Sequence, residues 1–78
     1  ENPNYDKYYL DLRWMLRDDE EARSEAKESE CELVKAMFDK EVSDAKFMAM
    51  LSQDREYGTA DFASFRRFVN GLKLALGY

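Results

Sequence analysis

Apolar side chains recur at three- and four-residue intervals near the start of the chain: Tyr5, Tyr8, Tyr9, Leu12, Met15 and Leu16. That spacing gathers them on one face of an α-helix, and no segment sustains the alternation of a half-buried strand. Asn2 offers a capping side chain and Pro3 suits the first helical position, so a helix is predicted over residues 3–17. The pattern returns at Cys31, Val34, Phe38 and Val42, with Ser29 and Glu32 at capping-box spacing, and predicts a second helix over 25–42. Ser43 caps a short helix, 44–53, whose inward residues are Phe47, Met50 and Leu51.

The stretch DREYGT reads as the one clear loop, with Gly58 free to take positive φ. Thr59 then caps a last helix, 60–76, with Asp61 in its first turn. Phe62, Phe65, Val69, Leu72 and Leu76 line its inner face, flanked by Phe68, and Gly77 marks its end. Gly71 disfavours a helix interior by about 1 kcal/mol, which leaves a break near Asn70–Gly71 as an alternative. The expected fold is all-α: one small domain, 1–78, built as a bundle of about four helices.

Between the first two helices lies RDDEEARSEAKESECE, Arg17 to Glu32, with Ala22, Ala26 and Cys31 as its only apolar residues. Asp19 and Arg23 form a favourable i,i+4 pair, whereas Arg23–Lys27, Glu21–Glu25 and Glu28–Glu32 set like charges at that spacing. A frayed turn or loop is therefore expected around Asp18–Ser24, with helix gaining strength toward residue 30.

Composition supports a folded domain. Hydrophobic residues make up 45% of the chain, including five Phe, five Tyr and one Trp, while the 37% of charged residues are mixed in sign. Residues 1–33 carry eleven acidic and five basic groups, net −6, and residues 34–78 carry six acidic and seven basic, net +1. A phosphate backbone is repelled by the first part and gains little from the second, so direct nucleic-acid binding is disfavoured. No apolar run approaches the ~20 residues needed to cross a bilayer. The polar opening ENPNYDK, without an initiator Met, points to a domain excised from a longer chain and leaves the parent's targeting open. The single Cys31 excludes an intrachain disulfide and favours a reducing intracellular compartment.

Catalytic residue types are scarce. The chain has no His, which removes the usual general base, the Cys–His nucleophile pair and the common zinc sets. Gly58 stands alone where a phosphate-cradling loop needs several glycines. DDEEARSEAKES lacks the central glycine of an EF-hand loop, and DREYGTADFASF lacks the ligand spacing and terminal Glu; both read as structural rather than as calcium sites. A degenerate EF-hand-like or other helical regulatory domain is an alternative. No serine lies in an acyl-carrier Asp-Ser-Leu context. The expectation is a protein that is not an enzyme and uses no cofactor or metal. Cys31 and the methionines Met37, Met48 and Met50 read as core packing, and Arg66, Arg67 and Lys73 as a solvated patch that alternatively receives the acids of 18–32.

One feature exceeds a plain core. Leu10 and Trp14 lie nearly opposite the Tyr5–Tyr8–Leu12 stripe, so the first helix is either the central element or a surface helix presenting an anchor. Trp and Arg are enriched at interface hot spots, which makes Leu10, Trp14 and Arg17 the centre of a candidate partner site. Asp18, Asp19, Glu20 and Glu21 adjoin it and would steer encounter toward a basic protein surface. The alternative is an acidic mimic of nucleic acid that blocks a nucleic-acid-binding protein, although Arg23 and Lys27 interrupt the charge. The aromatic-punctuated stretches NPNYDKYY and SQDREYGTADF resemble the small helical-bundle modules of secreted oomycete effectors, a likeness confined to those stretches, from which no residue role is carried over. The expected role is an interaction module: a subunit, a small inhibitor or an effector.

Overall fold

The computed structural model describes the backbone of residues 5–58 and 60–77, with the side chains of 7–54, 58 and 61–77. Among the described residues there are five helices and no strand: α1 (Tyr5–Leu16), α2 (Glu20–Lys27), α3 (Glu32–Phe38), α4 (Asp44–Tyr57) and α5 (Ala60–Leu76). The all-α expectation holds, with one helix more than the four read from the pattern. The caps expected at Asn2 and Thr59 lie outside the described residues.

The additional helix comes from the acidic stretch, which is helical from Glu20 rather than looped around 18–24. Asp19 is its N-cap, accepting a 3.1 Å hydrogen bond from the Ala22 N–H. Glu20 and Glu21 in the first turn and Lys27 in the last complement the helix dipole. Ala22 and Ala26, two small side chains, are both buried, so the helix is anchored by close approach rather than by bulk.

The helix expected over 25–42 is broken twice. Continued through 28–31, the stripe Ala22–Ala26–Leu33–Met37 would turn Ser29 and Glu30 inward. Instead the chain turns, and the Ser29 hydroxyl accepts a 3.0 Å bond from the Cys31 N–H. The Ser29–Glu32 capping box does not form; Cys31 is the N-cap of α3 and makes no side-chain cap bond. The second break follows Phe38, where Asp39 turns extended and its carboxylate accepts the Glu41 N–H at 2.9 Å.

α4 begins as read, with Ser43 accepting from the Lys46 N–H at 3.1 Å, but runs four residues beyond 53. DREYGT therefore contributes a last helical turn, closed by Gly58 in the left-handed conformation (φ 57°, ψ 46°). α5 has the predicted bounds and passes through Asn70–Gly71 without a break.

Short α3 is the hub. It touches each of the other four helices and buries Leu33, Val34, Ala36, Met37 and Phe38. Around it pack Tyr9, Leu12 and Leu16 of α1, Phe47 and Leu51 of α4, and Phe65 and Val69 of α5. Tyr9, Phe47 and Phe62 all meet Phe65, with ring centroids 5.0–6.5 Å apart. Met37 is core, while Met15, expected on the inner stripe of α1, is exposed. Cys31 is buried, and its thiol donates to the Asp61 carbonyl at 3.2 Å. Burial raises the thiol's pKa above its ordinary value, so it stays protonated and packs as a small hydrophobe. Among the described residues no helix is long and apolar enough to cross a membrane.

Candidate functional site

The site is built where α1 crosses the turn between α3 and α4, around the carboxylate of Asp44. Arg13 sits at helical spacing between Tyr9 and Leu16, so its side chain enters the core among apolar neighbours. It is fully buried, the one buried charged side chain among the described residues. Its Nε–H donates to the Met37 carbonyl (3.0 Å), Nη1 to Asp44 Oδ1 (2.8 Å), and Nη2 to the carbonyls of Asp39 (2.9 Å) and Val42. The guanidinium lies over the Phe47 ring, 5.0 Å from its centroid. Carbonyls at a helix C-terminus lack intrahelical donors, and here one planar fork supplies them. Burial, then the neighbouring Arg17 cation, lowers the Arg13 pKa, while Asp44 and Asp39 oppose the shift. The group remains cationic at any pH the fold meets.

The next residue faces outward. Trp14 is 56% exposed, yet its indole Nε1–H donates to Asp44 Oδ2 at 2.9 Å. One carboxylate thus holds Arg13 on its inner side and Trp14 on its outer side. The Arg17 guanidinium lies over the indole, 4.5 Å from the ring centroid, and also donates to the Lys40 carbonyl at 2.8 Å. The Lys40 ammonium in turn pairs with Asp18 at 2.6 Å. That hydrogen bond, followed by the charge of Lys40, holds the Asp18 carboxyl below its ordinary pKa.

Of the seven residues read from sequence as the candidate site, Trp14, Arg17 and Asp18 form one contact chain through Lys40. Leu10 is half-buried and packs against the core rather than standing exposed beside Trp14. Asp19 caps α2, and Glu20 is exposed, 4.0 Å from Arg23. Glu21 faces away from Arg23, into a groove between α2 and α5. Sequence reasoning missed Arg13, Lys40 and Asp44. The signal for Arg13 was present: a cation inside the Tyr9–Leu12–Leu16 stripe must either disrupt the core or be paired within it.

The like-charge pairs of the acidic stretch also acquire a meaning. Viewed down α2, Arg23 and Lys27 fall on one flank and Glu21 and Glu25 on the other, with Ala22 and Ala26 inward between them. The cationic flank joins Lys35 and Lys40 around a groove of about 520 Å³ floored by Ala26 and Phe38, with Asp39 and Glu41 at its edge. Arg66 lies over Phe62 and Lys73 over Tyr8, while Arg67 lines the α2–α5 groove. Among the described residues no cluster of three or more His, Cys, Asp or Glu side chains is arranged to hold a metal. No protein-family model, curated protein or solved structure matches this chain.

Proposed function

We propose that this helical domain is a non-enzymatic protein-interaction module that docks through Trp14. The observation that carries this reading is a large indole more than half exposed to water and held in one orientation by Asp44 and Arg17. A fixed aromatic anchor loses little conformational freedom on binding, and Trp and Arg are the side chains most enriched among residues that dominate interface energies. Met15 extends the exposed apolar surface by one residue. The carboxylates of Asp18, Glu20 and Glu21 steer encounter toward a basic partner surface and contribute little affinity individually, being solvated.

The test uses a partner captured from extract with the immobilised domain, then titrated calorimetrically against wild type and Trp14→Ala. The expected result is a loss of more than ~1 kcal/mol of binding with the circular dichroism of the free variant unchanged, and only shallow weakening at high salt. Undiminished affinity of the variant contradicts the reading. Steep salt dependence would instead favour an acidic mimic docking in a basic groove.

A further inference from the structure

The second groove, between α2 and α5, encloses about 460 Å³ and is independent of Trp14. Its floor is apolar, formed on α5 by Phe68, Gly71, Leu72 and Leu76, and its α2 wall carries Glu21 and Glu25. The end of α5 is unusually greasy toward solvent: Leu76 is 47% exposed and Leu74 83%. Gly71 adds a separate observation. It stands inside a regular helix without positive φ, where glycine is unfavourable, and beyond its chain neighbours and the helix's own backbone no atom lies within 4 Å of the point a Cβ would occupy. The packing of this domain therefore gives no reason for a glycine there. A chain laid in the groove would give one, because the absent side chain allows it to approach the floor closely.

We propose that the α2–α5 groove is a docking site for a short basic amphipathic helix of a partner protein. Leucine-like side chains would lie on Phe68, Leu72 and Leu76, with lysine or arginine along the Glu21–Glu25 wall. Charge complementarity selects this occupant. Two copies of the groove facing each other would set these carboxylates against themselves, and an acidic segment would meet the same repulsion. Arg67, the one cation lining the groove among the described residues, leaves its balance acidic, since Asp19 stands with the two glutamates. The helix that forms this wall, α2, is eight residues long, about 12 Å, which matches about two turns of a bound helix.

The test uses a labelled leucine–lysine peptide of amphipathic helical spacing, about three turns long, in fluorescence anisotropy at physiological salt. A control peptide has the same lysines with glutamine in place of leucine. The peptide is expected to bind, with the control at least ~10-fold weaker, equivalent to ~1.4 kcal/mol. Gly71→Leu should weaken binding by a similar factor while the domain stays folded by circular dichroism. Gly71→Ala should raise the melting temperature by roughly 2–8 °C, because the free fold has no use for the glycine. Absence of peptide binding, equal binding of the control, wild-type affinity in Gly71→Leu, or a lower melting temperature in Gly71→Ala would each overturn the proposal. So would sedimentation showing a self-dimer that Gly71→Leu disrupts. The Trp14 reading is unaffected by these results, and failure of Trp14→Ala leaves this groove untouched.

Discussion

Arg13 and Trp14 are consecutive residues that donate to the two oxygens of the same carboxylate, and their surroundings differ in almost every other respect. On the inner side of Asp44 a cation is sealed among Phe47 and three carbonyls from the end of α3 and the turn that follows it. On the outer side an indole makes a hydrogen bond of nearly equal length while water reaches more than half of its surface. The lengths, 2.8 and 2.9 Å, do not distinguish the two bonds; the surroundings do. Water competes for the outer donor and would replace the bond if it were lost, whereas nothing replaces the inner one. Arg13 therefore holds α1 to the α3–α4 turn, and Trp14 is attached to that framework without being required by it.

The largest effect should come from removing the inner partner. Arg13→Ala strands the carbonyls of Met37, Asp39 and Val42 and leaves the Asp44 carboxylate without its cation. A loss of about 3–5 kcal/mol is expected, measured by urea unfolding. In a domain this small, whose total stability is on the order of 5–10 kcal/mol, that removes about half of it. Arg13→Lys should recover little, since an ammonium cannot reproduce the planar fork.

Asp44→Ala comes next, at about 2–3 kcal/mol, because Arg13 keeps its carbonyl partners but loses its countercharge. Trp14→Ala should change the stability of the free domain by less than ~1.5 kcal/mol, the scale of one exposed hydrogen bond and one exposed cation–π contact. A larger loss would erase the distinction between the two sides of Asp44.

Two titrations give the smallest effects, with opposite signs. The Cys31 thiol has a raised pKa in the fold, so its contribution is complete below the ordinary thiol range and declines as pH rises through and above it. Cys31→Ala should flatten that alkaline decline in a pH series of melting temperatures. Asp18 has a lowered pKa, so its pairing with Lys40 is complete above the ordinary carboxylate range and is lost as pH falls through it. Lys40→Met should move the Asp18 carboxyl titration, followed by NMR, back toward the ordinary range.

The difference between the two sides of Asp44 also shows what the amino-acid sequence reveals and what it conceals. Helical spacing located most of the inward residues of α1, α4 and α5, because each buries one stripe: Tyr9, Leu12 and Leu16; Phe47 and Leu51; Phe65 and Val69; Met15 and Leu76, read onto the same stripes, are exposed. Over 18–42 it found Cys31, Val34 and Phe38, which are buried, but not the helix bounds, because the chain turns twice there and the contacts that set those turns are polar. Asp19 as a cap, Ser29 as a turn residue and Asp39 as a helix end each rest on one short-range bond. Ala22, Ala26 and Cys31 are too few apolar residues for the pattern to predict a helix there, yet the small side chains of Ala22 and Ala26 are what allow α2 to lie close to α3. Asp44 was out of reach for a different reason: its partners Arg13 and Trp14 are 31 and 30 residues away, and no local pattern links them. Trp14 and Arg17 stood together in the candidate site read from sequence, but the exposure of the indole depends on short α3, and not α1, lying at the centre of the fold.

The most direct test of the central claim is the fluorescence of Trp14, the only tryptophan, in the isolated monomer. Long-wavelength emission that acrylamide quenches readily is expected, shifting to shorter wavelength and becoming protected when a partner docks. Short-wavelength, quencher-protected emission from a sample that sediments as a monomer would place the indole inside the fold and contradict it.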